Sequence, residues 1–423
     1  MTRLDIKLCL FVCFFCINGV IVSGERSKPV DRSIAADTAL SGEVQSNIFN
    51  VISYGARGDG RIDDSQAFNA AWEAACGSSG SVTLLIPKAT YRLGPIKFSG
   101  PCHHVTSITV DMQGYLKALT QLSKFGTSPW IEIGWVDRLT LTGGGTFDGQ
   151  GVGAWRFNKC PVDMDCEYLP SNVKFISTTN TVVRGITSLN SKSYHLSLAN
   201  CRNFHGSAIK ISAPSNSPDT DGVHIEHSTG VTITQSVIGT GDDCISIGPG
   251  NSHIAITGLT CGPGHGISVG GLGRYHGEGD LTGIVVRNCV LSGTSNGVRI
   301  KTWKNSPEST TASNLTFQDI VVNNVANPII IDQTRCPSST CLSRGSSRVK
   351  LSDVHFKHIR GTSSTLVAVN LACSKDVPCE NVTIEDIHLD LATGGHTTRS
   401  ICKYVTPSFN GTRNPEPCVV NSQ

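Results

Sequence analysis

The chain has 423 residues, a formal net charge of +2, 44 glycines, and only 6% aromatic and 16% charged residues. This length can bury a sizeable core in one large or two smaller domains, and the composition excludes disordered and coiled-coil classes. No long basic run is present, which argues against nucleic acid as a partner.

Residues 1–24 read as a secretory signal. Arg3 and Lys7 precede an apolar run from Leu8 to Val22, and Val22 and Gly24 put small residues at the cleavage positions. A membrane anchor is the alternative, but the run is short and broken by Asn18 and Gly19. Of 17 cysteines, Cys9, Cys13 and Cys16 leave with the signal; 17 − 3 = 14 is an even number, which suggests disulfides. Cys336/Cys341, Cys373/Cys379 and Cys402/Cys418 are close enough in sequence to be local staples. A zinc site finds no CxxC or His-x3-His spacing to support it. Sequons at Asn314, Asn381 and Asn410 fit an exported glycoprotein.

Residues 25–48 are polar and aperiodic and read as a leader, with order beginning at Phe49, so that 49–423 is expected to be a single domain. Asp63-Asp64-Ser65 can cap a helix whose apolar positions Ala67, Phe68, Ala71, Trp72 and Ala75 follow helical spacing. Val82 to Ile86 reads as a strand. From about residue 138 one pattern recurs: a short alternating strand, a turn, and a second short strand. These begin at Val231, Ile254, Ile284, Leu315, Val349 and Val382, at intervals of 23, 30, 31, 34 and 33 residues. Two or three strands per period, with Gly and Asn corners and no helix, predict an all-β solenoid. The short repeat favours a right-handed parallel β-helix over a β-propeller, with the N-terminal helix covering its open end.

Stacking carries a functional consequence. Equivalent positions on successive coils lie about 4.8 Å apart. Asp221, Asp242/Asp243 and His265 are each separated by about one short coil, and Arg299 and Lys301 fall on the next. Strand alternation turns 299 and 301 to one side while Ile300 enters the core. A Gly-Asp pair alone is usually a turn, and a His between glycines is usually a loop residue. Their coincidence on one face is what points to acid/base chemistry on an anionic sugar. The flanking glycines are expected to let a polymer approach the backbone.

Thr220-Asp221-Gly222, Gly241-Asp242-Asp243-Cys244, Gly264-His265-Gly266 and Arg299-Ile300-Lys301, in this order and spacing, resemble the polygalacturonase family of glycoside hydrolases. The resemblance runs from roughly Phe49 to Cys418. The stretches Cys261–Gly270 and Gly297–Trp303 resemble the plant, pollen-type exopolygalacturonases. It implies inverting hydrolysis of α-1,4-linked polygalacturonate in pectin, in the cell wall, by a monomer without cofactor or metal. Asp242 is then the general acid, Asp221 and Asp243 activate water, His265 assists the acid, and Arg299 and Lys301 bind the sugar carboxylate. A calcium site built from the acids is the alternative, ill suited to the neighbouring Arg and Lys.

Two positions depart from the family pattern. Asp219 replaces the Asn of Asn-Thr-Asp, adding a fourth carboxylate that repels an anionic substrate. Arg335 stands where plant members place a substrate-binding Tyr. The two changes are expected to compensate, with Arg335 pairing Asp219 or the substrate carboxylate. A non-catalytic pectin-binding protein, or a hydrolase of another acidic pectin backbone, remains the competing reading.

Overall fold

The computed structural model describes residues 47–160, 166–336 and 345–418. The signal and most of the leader lie outside them, as does Cys341. The leader boundary moves slightly: Asn47 and Ile48 already pair with Val82 and Thr83.

Two parallel sheets wrap a shared core, one of 21 strands and one of 11. Each inner strand of the smaller sheet pairs with the strand one coil before and one coil after it, the signature of a parallel β-helix. The recurring strands read from the sequence lie in the larger sheet, where Val231, Ile254, Ile284, Leu315, Val354 and Val382 stand in one register column. In the smaller sheet Val223, Ile245, Ile267, Val298, Ile329 and Val369 form a second column, each essentially buried. Apolar side chains at equivalent positions thus stack on one another from coil to coil, and the core is continuous along the axis.

The helix α1 spans Ser65–Cys76 and buries Ala67, Phe68, Ala71, Trp72 and Ala75, the face its spacing predicts. Trp72 stacks on Phe98 at 4.8 Å and donates its indole N–H to the Ser99 carbonyl at 3.0 Å. The Cys76–Cys102 disulfide ties its last turn to the first coils. The expected cap differs in detail. Asp64 is the N-cap but makes no side-chain cap bond; its carboxylate instead accepts the backbone N–H groups of Arg57 and Gly58. The acid that receives the Ser65 N–H is Asp63, at 3.0 Å.

Cys373–Cys379 and Cys402–Cys418 are bonded as expected, and the structure adds two pairs that were not expected, Cys160–Cys166 and Cys244–Cys261. Cys201 and Cys289 are buried free thiols. Asn314, Asn381 and Asn410 are all exposed.

Candidate active site

The smaller sheet presents the site. Its strands Val223–Glu226, Ile245–Ile247, Ile267–Leu272, Asn296–Trp303 and Asn327–Arg335 lie side by side. Because Val223, Ile245 and Ile267 are in register, the residues two positions earlier, Asp221, Asp243 and His265, come from three consecutive coil corners. The stripe inferred from spacing is therefore present.

Glycines make these corners possible. A Cβ on Gly241 would overlap the carbonyl of Ser217, and one on Gly266 would overlap the carbonyl of Asn296, with φ at +89° besides. They let one coil's backbone approach the next, which any substrate then finds already in place.

Asp243 is the anchor. Its side chain is 1% exposed and accepts from Lys301 Nζ at 2.9 Å, Arg299 at 3.0 Å and Ser268 Oγ at 2.7 Å. Burial opposes its ionisation, but Lys301 and Arg299 outweigh that and hold its pKa well below the usual carboxylate range. Arg299 also donates from Nε to Ser268 Oγ at 3.0 Å, so the serine bridges the cluster. Ser268 was not picked out from sequence. Its signal is positional, since Ser246, Ser268 and Arg299 share one register column. Ile300 between the two cations is fully buried, as alternation requires.

Asp221 is the opposite case. Burial, then the charges of Asp242 and Asp243, push its pKa well above normal. The two neighbouring carboxylates are thus pushed in opposite directions, Asp243 toward the ionised form and Asp221 toward the protonated one. Asp242 is more open, with a side chain 20% exposed, and its Oδ1 lies 3.0 Å from Nδ1 of His265. That hydrogen bond raises the His265 pKa against the pull of partial burial. The buried Cys244–Cys261 disulfide fixes the chain immediately after Asp243.

A groove of about 830 Å³ runs across these residues and is lined by every predicted site residue, including Asp219 and Arg335. One side carries Tyr168, Tyr194 and His224, with Tyr194 stacked on His224 at 4.5 Å and tilted against Tyr168 at 5.3 Å. On the other, Arg274 and Arg335 lie over the Trp303 ring at 5.0 and 5.6 Å. These aromatics sit on strand ends and loops, so no motif announces them.

Arg335 and Asp219 do not pair. Among the described residues Arg335 has no ion pair, and Asp219 accepts instead from Nδ2 of Asn158 at 2.6 Å. Asp219 precedes Asp221 on its corner, whereas Arg335 ends a strand more than three coils further along, opposite Trp303. Coil stacking separates them along the axis, which is why a direct pair is not made. Asp242, Asp243 and His265 offer three ligand atoms within 4.8 Å of one another. A cation there would meet Lys301 and Arg299, which already occupy Asp243, so the donor set suits a metal poorly.

The family model for glycosyl hydrolases family 28 matches residues 76–414. An exopolygalacturonase from Platanus acerifolia is 46% identical over 374 residues, covering 88% of this chain and 98% of that relative. One from Zea mays is 43% identical over 401 residues, 95% of each. Among solved structures, an exopolygalacturonase from Thermotoga maritima superposes with a TM-score of 0.71 at 19% identity, covering 89% of this chain and 92% of that one, and supports the fold. With the motif order, the coil stacking and these matches together, the chain belongs to glycosyl hydrolases family 28, the polygalacturonase family.

Proposed function

We propose that this family 28 enzyme hydrolyses α-1,4-galacturonosyl linkages of polygalacturonate in cell-wall pectin, acting from a chain end with inversion, as a secreted monomer. The observation that carries the reading is the pinned, ionised Asp243 on the floor of an open groove, beside Asp221 and Asp242. Exo action is supported by the exopolygalacturonases that resemble this chain over nearly its whole length.

In this mechanism Asp242 gives its proton to the glycosidic oxygen as the bond to the anomeric carbon breaks. Water attacks that carbon and loses a proton to Asp243, positioned with help from Asp221. The proton-rich Asp221 keeps the cluster from carrying three negative charges beside an anionic sugar. His265 assists the acid through its hydrogen bond to Asp242. Arg299 spends only part of its five-donor fork on Asp243 and Ser268, which leaves donors for a sugar carboxylate. Arg335, also facing the groove, offers a second carboxylate contact.

Generic inverting sites separate their carboxyls by about 6.5–9.5 Å. Asp242 and Asp243 come within 4.8 Å here, so inversion rests on family membership rather than on spacing. Proton NMR of the first-formed anomer checks it: α-linked substrate must give the β-anomer. Product analysis checks the rest. Wild type is expected to release galacturonate monomer from polygalacturonate and Asp242→Asn to release none. No reducing ends from wild type would defeat the reading, an early oligomer ladder would replace exo by endo, and turnover only of rhamnogalacturonan would change the substrate.

A further inference from the structure

The acids of the groove stand at corners that precede strands of the smaller sheet. Arg274, Trp303 and Arg335 stand where three of those strands end, on the opposite wall. Trp303 and Arg335 are register partners, and Arg274 follows the neighbouring strand by two residues. The Arg274 guanidinium lies 5.0 Å from the Trp303 ring and 4.8 Å from that of Tyr275, and the Arg335 guanidinium lies 5.6 Å from Trp303. One buried indole thus seats two cations. Four residues of strand, about 13 Å, separate Trp303 from Arg299. The two guanidiniums therefore form a second cationic centre, beyond that of Arg299 and Lys301.

The loop that carries Arg274 is tied down on both sides of it. The Glu278 carboxylate accepts three backbone N–H groups, from Gly273 at 2.6 Å, Arg274 at 2.7 Å and Tyr275 at 2.8 Å. Glu308 grips the same loop through His276 Nδ1 and the Gly277 N–H, both at 2.9 Å. Its backbone is thus fixed before any ligand arrives, which lowers the ordering cost of binding.

We propose that Arg274 and Arg335, seated on Trp303, form a second carboxylate site. It takes the uronate of the sugar adjoining the one held by Arg299 and Lys301, so the groove requires two neighbouring unesterified sugars. Glu278 is then a positioning residue for Arg274. This rests on the polygalacturonate reading of the same groove.

The chemistry fits an anion here. A cation over an aromatic face keeps its N–H edge for acceptors, and a guanidinium matches a carboxylate in a two-pronged contact. Arg299 is balanced by Asp243, whereas Arg335 has no ion pair among the described residues. Burial and then the charge of Arg299 lower the Arg335 pKa, so this guanidinium stands in the field of another cation. A sugar carboxylate offsets that repulsion; a methyl ester, being neutral, does not.

Calorimetric titration with digalacturonate and its two singly methyl-esterified isomers tests this, in Asp242→Asn protein so that turnover is stopped. With the wall intact, each isomer should bind about tenfold more weakly than the free acid, because each lacks one of the two carboxylates. Adding Arg274→Met and Arg335→Met together should abolish discrimination against one isomer and leave it against the other. Each ratio is read within one protein, so a general loss of stability does not imitate the result. Indifference to one ester with the wall intact, or discrimination against both that survives the double change, overturns the proposal while leaving hydrolysis of polygalacturonate standing. Binding of none of the three ligands, with no turnover by wild type, removes the functional reading and this site with it. Glu278→Ala should reduce the discrimination as far as Arg274→Met does, and the two together no further. An additive loss would deny Glu278 its positioning role.

Discussion

Replacing Asp243 by Asn separates the site's chemistry from its architecture. Asp243 is 1% exposed, and its two cations, Arg299 and Lys301, are 15% and 13% exposed. Removing the charge leaves two nearly buried cations facing a neutral amide, and breaking buried pairs in this way costs about 3–5 kcal/mol. In a chain of this size 1 kcal/mol moves Tm by about 1–2 °C, so Asp243→Asn should lower Tm by about 3–10 °C. Asp242→Asn keeps an oxygen for the Asp243 backbone N–H, weakens a part-exposed contact to His265, and should lose less than about 1 kcal/mol. Both should lose about 10²–10⁴-fold in kcat. The Asp243 pKa is lowered by folding, so its contribution is complete above the unfolded carboxyl pKa of about 3.9 and is lost as pH falls through the folded value. Calorimetry of both variants should therefore show a Tm gap at neutral pH that narrows in strong acid. Equal stability of the two variants at neutral pH would refute the view that Asp243 anchors the cluster. Adding Lys301→Met to Asp243→Asn should recover part of the loss, since one uncompensated cation is then gone.

The Asp221 pKa is raised by folding, so its stabilising effect is complete at low pH and is lost as pH rises through the folded value. Asp221→Asn should thus abolish turnover while gaining Tm over wild type, by a margin that grows as pH rises above the unfolded carboxyl pKa of about 3.9; a pH-independent margin would contradict the shift. Arg335→Met should raise KM for polygalacturonate by about tenfold with a smaller change in kcat, and should flatten the dependence of KM on salt. Removing the Cys244–Cys261 staple as a double Ala variant should cost about 3 kcal/mol in urea unfolding and lower kcat as well, because Asp243 adjoins Cys244.

Much of this molecule is legible in its sequence because solenoid folding is local. Each coil contacts its neighbours, so the repeat of alternating strands from Val231 to Val382 gives both the fold and the distance between equivalent residues. That is why Asp221, Asp243 and His265 could be placed on one face from spacing alone, and why Ile300 could be assigned to the core between Arg299 and Lys301. The amphipathic spacing of Ala67, Phe68, Ala71, Trp72 and Ala75 likewise suffices for α1.

Other features were decided only by the tertiary structure, because they depend on the lateral reach of side chains and the path of corners. Asn158 meets Asp219 across 61 residues of sequence from a loop with no motif. Arg335 reads as its partner only until the coils separate them and set the guanidinium over Trp303. The glycines are legible as close-approach positions, yet only the stacked backbones reveal that they make room for the next coil. Sequence supplies the inventory of charges; which of them are buried and pinned, and which way burial and neighbouring charge shift their proton affinity, is fixed by the surroundings that folding imposes on Asp243 and Asp221.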